Sequence, residues 1–148
     1  MLRTGIGGFV TVLETTGSLP LVLKVEMRRE LLRAALERRT VTYGQLMHQF
    51  GLTRGEAGQT VVGILGEIDR EESLAGAPGF AAIVVRKDTG YPGGGFFCWE
   101  GIPASIRRPK ERGQDPKLSQ AEREYVREAQ QRIWTYYREH AKEGGSSA

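Results

Sequence analysis

Three helix-forming segments follow one another between Val25 and Ser73, and their order constrains this chain more than anything else in it. In "VEMRRELLRAALERRT", Leu31, Leu32, Ala35 and Leu36 recur at helical spacing, with Arg28, Arg29, Arg33, Arg38 and Arg39 on the other faces. Thr42 then stands where an N-cap belongs, ahead of the short segment "YGQLMHQF", and Gly51 supplies its C-terminal stop. Thr53 is placed to cap a longer helix, "RGEAGQTVVGILGEIDREES", whose stripe is Ala57, Val61, Ile64, Leu65 and Ile68. Helix, short helix, tight turn and longer helix predict a helix-turn-helix.

The next stretch predicts a wing. "FAAIVVRK" reads as a strand, "DTG" as a turn with Gly90 at positive φ, and "FFCWE" as the return strand. That strand would put Phe96 and Cys98 on one face and Phe97 and Trp99 on the other. Gly93, Gly94 and Gly95 do not make a phosphate loop. No lysine followed by serine or threonine comes after them, and the segment beyond is no helix. They read as a hairpin tip.

Residues 102–118 carry three prolines and five basic residues against two acids, the composition of a linker or arm. Ser119 and Glu122 form a capping box for a last helix, with Leu118, Tyr125, Ala129, Ile133 and Tyr136 close to one stripe. The expected fold is therefore α+β, a winged helix-turn-helix with a C-terminal helical extension. Its divisions are an N-terminal extension or loose hairpin (1–26), a winged-helix domain (27–101), a basic proline-containing linker (102–118), a C-terminal helix (119–143) and a disordered tail (144–148). Residues 1–26 have two readings. The patches "GFVTVLE" and "LPLVLKV" suit a hairpin, and Met27 suits an alternative first residue.

Chemistry-bearing residues are few. Cys98 is the only cysteine, so no intrachain disulfide forms and a cytoplasmic setting is expected. Its flanks, Phe97 and Trp99, are apolar and no base signature adjoins it, which predicts a structural thiol. His48 reads as an ordinary helix residue, and no cysteine–histidine cluster has metal-ligand spacing. Glu67, Asp69, Glu71 and Glu72 admit two readings, a magnesium site or a solvated helix end, and the second is the commoner use of such a run. No catalytic residue, metal or cofactor is assigned, and no apolar run is long enough to span a membrane.

The segment Val41–Phe97 resembles the winged-helix domain of the alkylguanine-DNA alkyltransferases and their alkyltransferase-like relatives. "VTYGQLMHQFGL", "QTVVGILGEI" and "PGFAAIVVRKDTGYPGGGF" carry the likeness. The resemblance implies the fold and an affinity for DNA. It does not extend to alkyl transfer. The family's "PCHRV" reactive motif would fall at Pro78, Gly79, Phe80, Ala81 and Ala82, without its cysteine, and Thr60 stands where the family has an arginine finger.

A net charge of +3 permits a nucleic-acid partner. The expectation is a non-enzymatic DNA-binding protein, regulatory or associated with DNA repair or phage defence. Arg54, Gln59 and Thr60 on the third helix would contact double-stranded DNA, with Arg86 and Lys87 at the wing and Arg107, Arg108 and Lys110 on the arm. The alternatives are a protein-interaction module using the aromatic C-terminal helix and the glycine wing, and a small magnesium-dependent nucleic-acid enzyme.

Overall fold

The computed structural model describes residues 15–52 and 57–147. Among the described residues the chain is a small, mixed, helix-rich fold of four α-helices and a two-stranded parallel sheet. The order is α1 (Thr15–Leu36), β1 (Val41–Thr42), α2 (Tyr43–Gln49), α3 (Ala57–Leu74), β2 (Val84–Val85) and α4 (Gln120–Ser147). Short 3-10 turns occupy Ala81–Ile83, Gly94–Cys98 and Lys110–Arg112. No helix among the described residues is long and apolar enough to cross a membrane.

The helices close on a shared core. Met27, Leu31, Ala34 and Ala35 come from α1, Val61, Leu65 and Ile68 from α3, and Ala129, Ile133 and Tyr137 from α4. Phe80 and Ile83 fill the space between them, and Phe80 stacks on Tyr137 with centroids 4.5 Å apart. Removing a side chain of the size of Phe80 or Leu31 from water contributes about 1.5–3 kcal/mol. Local signals set the helix ends. Thr42 and Gln45 form a reciprocal capping box on α2, and Ser119 and Glu122 do the same for α4.

The expected wing is absent in its hairpin form. β2 pairs in parallel with β1, Val41 opposite Val84, and residues 94–98 form a 3-10 turn in place of a return strand. The cause is packing. The backbone of Gly94 lies so close to Gly113 that a Cβ would overlap that residue's carbonyl oxygen. The turn buries Phe97 fully and sets Phe96 edge-on against it.

Three boundaries also move. α1 begins at Thr15, so "LPLVLKV" is helical and the helix runs through the expected boundary at 26. The other expected patch, "GFVTVLE", falls at 8–14, outside the described residues. α4 reaches Ser147, past the predicted end at 143. Residues 102–118 fold back as a strap. Arg108 N donates to Phe97 O at 2.8 Å, and Cys98 Sγ lies 3.7 Å from the carbonyl of Pro109.

Candidate nucleic-acid interface

Two open clefts run into each other along the outer face of α3. The first, about 850 Å³, opens between the N-terminal half of α3 and the glycine turn. Gln59, Arg86, Gly94 and Gln114 line it, and among the described residues no aspartate or glutamate does. The second, about 570 Å³, continues toward the C-terminal half of α3 past Glu67, Asp69, Arg70 and Ser73. Tyr43, Val62, Gly63, Gly95 and Phe96 border both.

The turn between β2 and the glycines is rigidly specified. Arg86 N donates to Tyr91 O at 2.9 Å and Gly90 N to Arg86 O at 2.8 Å, with Gly90 at φ +75°. Gly93 N donates to the hydroxyl of Tyr43 at 3.4 Å. Burial holds that phenol's pKa above its ordinary value. Arg86 grips Asp88 through two hydrogen bonds, 2.9 and 2.7 Å, and both side chains are open to water. Lys87 is exposed beside it.

The expected contact residues therefore separate into groups. Gln59 and Arg86 meet on one cleft, with Lys87 adjoining. Thr60 is half-buried on the same helix, and Arg54 lies outside the described residues. Arg107 and Lys110 are exposed on the strap and border neither cleft. Arg107 Nε is engaged by Ile102 O at 3.0 Å.

Arg108 is turned inward. Its Nε and Nη2 fork onto Glu122 at 2.7 and 2.9 Å. Its remaining N–H groups reach the carbonyls of Arg112, Asp115 and Lys117. All five donors of the guanidinium are thus satisfied away from solvent, and the group lies 5.2 Å from the centre of the Phe97 ring. A phosphate would find nothing of it. The Arg108 guanidinium holds the Glu122 carboxyl below the ordinary carboxylate range.

The acidic run is dispersed among separate partners. Lys24 of α1 bonds Glu71 and stands 3.6 Å from Glu67. Glu72 is buried, receiving Arg28 Nε at 2.7 Å and the Tyr137 hydroxyl at 2.6 Å. Asp69 accepts the amides of Phe80 and Ala81 at 2.7 and 3.0 Å, and so caps the 3-10 turn that leads into β2. Gly79 makes this approach feasible. It has φ +82°, and a Cβ there would stand 2.7 Å from the Asp69 carboxyl carbon. Burial raises the Asp69 pKa to about 6, the two amides opposing the shift and the charge of Glu72 adding to it.

The aromatic C-terminal helix is largely spent on packing. Trp134 Nε1 donates to Arg39 O at 3.3 Å, Tyr137 is buried, and Tyr136 stacks on His140. Sequence reasoning did not single out Trp99, Val62 or Asp69 as parts of a groove. The available signal was Gly63 and Gly66, two glycines inside a helix where neither turn nor cap requires them. No protein-family model, curated protein or solved structure matches the chain.

Proposed function

We propose that this chain is a non-enzymatic DNA-binding protein in which α2 and α3 serve as a helix-turn-helix and the glycine turn takes the place of a wing. One observation carries the reading. Gln59 on the N-terminal half of α3 and Arg86 beyond β2 converge on a single open cleft that, among the described residues, no carboxylate lines. A recognition helix reaches a groove through its N-terminal residues, while a neighbouring loop meets the phosphates. Lys87 extends the basic edge, and within α3 itself the first acid is Glu67, about two turns beyond Gln59. Arg86 is available because its pair with Asp88 is exposed, and such pairs exchange readily for phosphate.

The test is a duplex titration of the full chain at two salt concentrations. Binding at ~50 mM salt that weakens steeply by ~200 mM supports the reading. No binding at the lower salt ends it.

A further inference from the structure

The strap and the start of α4 enclose a separate cleft of about 420 Å³, which shares no lining residue with either cleft beside α3. Arg107, Arg112 and Lys117 stand on its wall, and all three are exposed. Among the described residues, the side chains of Arg112 and Lys117 make no hydrogen bond or ion pair. Arg107 is tethered at Nε by Ile102 O, which leaves both of its Nη groups without a partner among those residues.

The acids on the wall do not neutralise this charge. Glu122 is already answered by the buried fork of Arg108 and by the amide of Ser119. Asp115 accepts the amide of Lys117 at 3.0 Å and is the other carboxylate on the wall. Three unpaired cations therefore share the cleft with one carboxylate that no cation holds. Ile106 and Leu118, both half-buried, form part of the same wall. Charges beside apolar walls in a cleft act more strongly than on an open surface, and one sign of charge there draws the other.

The frame beneath these cations is fixed. Arg108 donates to the carbonyls of Arg112, Asp115 and Lys117, and so pins the backbone that bears two of the three. A ligand then has only side-chain ends to order, which lowers the cost of binding. Ser119 adds a donor. Its oxygen takes the amide of Glu122 and its O–H remains.

The arrangement also selects among anions. A nucleic-acid strand spreads one charge per phosphodiester along its length. Several cations around one cleft suit charges gathered on linked phosphate groups, whose oxygens match guanidinium donors. The volume is that of a small-molecule site. We propose that the strap cleft binds the polyphosphate chain of a small molecule, two or three linked phosphates held by Arg107, Arg112 and Lys117, with Ser119 donating a hydrogen bond. This site is independent of the DNA-facing cleft.

Nitrogen-15 spectra of the full chain at fixed ionic strength test this with sodium tripolyphosphate. Adenosine triphosphate is the second probe, and sodium sulfate and a thymidine octanucleotide are the comparisons. Tripolyphosphate should move the amides of Arg112, Lys117 and Ser119 saturably, and the comparisons should move them far less. Adenosine triphosphate binding as tightly or more tightly makes a nucleotide tail the source of the chain, and weaker binding makes it a free polyphosphate. Arg112→Ala and Lys117→Ala should each weaken tripolyphosphate about fivefold, as loss of one exposed charge contact does. Arg127→Ala removes an equally exposed cation of α4 that lies outside the cleft, and should leave the affinity unchanged. Three outcomes overturn the proposal: signals unmoved by tripolyphosphate, equal movement by sulfate or the oligonucleotide, or an Arg127→Ala loss equal to that of Lys117→Ala.

Discussion

Arg86 and Arg108 carry the same guanidinium and each grips one carboxylate in a fork, but they flank the glycine turn in opposite environments. Arg108 and Glu122 are 5% and 9% exposed, whereas Arg86 and Asp88 are 42% and 62% exposed. Burial decides what the shared chemistry does. A buried guanidinium with every donor satisfied becomes a brace, because removing either partner strands a charge out of water. An exposed fork is screened and exchangeable, and its cation remains on offer to a ligand.

The largest effect should come from breaking the brace. Arg108→Met leaves Glu122 unpaired and releases the carbonyls of Arg112, Asp115 and Lys117. Urea denaturation should show a loss of about 3–5 kcal/mol. Adding Glu122→Gln should recover part of it by removing the stranded charge. An Arg108→Met protein as stable as the parent would show that the strap is not braced, and the contrast with Arg86 would collapse.

Asp69 sharpens the contrast from the other side, as an inward carboxylate with amide donors and no cation. Its folded pKa is raised and that of Glu122 is lowered, so the two act on stability with opposite sign. A raised carboxyl pKa means the folded state holds the proton more tightly. The Asp69 contribution is therefore complete below pH 4 and is lost as pH rises to about 6. That loss should be on the order of 3 kcal/mol. The Glu122 contribution is present above the ordinary carboxylate range and is lost as pH falls below it. Stability should accordingly peak on the acid side of neutrality. Asp69→Asn keeps only one acceptor oxygen for the amides of Phe80 and Ala81, at a loss of about 1 kcal/mol. It should be the less stable protein near pH 4.5 and the more stable one by pH 7.5, because the asparagine carries no charge to bury. A parent whose stability rises steadily from pH 4.5 to 7.5 would show that Asp69 is not buried as described.

Gly79→Ala probes the same contact without touching a charge. The positive φ and the 2.7 Å approach to Asp69 should together cost about 2 kcal/mol, read as a lowered urea midpoint at unchanged slope.

What the sequence made legible follows the range of each interaction. The cap at Thr42, the box of Ser119 with Glu122, and the turn at Gly90 are decided within a few residues, and each was readable in advance, whereas the reciprocal bond from Gln45 was not singled out. The stripe Val61, Leu65 and Ile68 was readable too, since periodicity alone orients it. Pairing at a distance was not. Val84 and Val85 read as half of a hairpin, but they pair with Val41 and Thr42 from the far side of α2 and α3. Arg108 reads like Arg107 beside it, and only the return of α4 supplies the carboxylate that draws it inside. On α4, Val126 and Tyr137 are buried where Tyr125 and Tyr136 were expected, a shift of one position that periodicity does not resolve. The acids of α3 look alike in sequence and differ through Lys24, Arg28 and the amides after Gly79.

The smallest effects on stability should come from the outward side, and there the readout changes from folding to binding. Arg86→Ala and Lys87→Ala should leave the melting curve superimposable on the parent's, because neither side chain reaches the core. On duplex DNA each should weaken binding to most sequences alike and flatten the dependence of log affinity on log salt by about one unit. Gln59→Ala should keep the salt slope and narrow the gap between preferred and random duplexes, since an amide reads base edges while a cation reads phosphate. Arg107→Ala and Lys110→Ala, on the strap and off both clefts, should change the slope less than Arg86→Ala does. If the strap variants flatten the slope and Arg86→Ala does not, DNA lies across residues 107–110, and the cleft beside α3 belongs wholly to another partner.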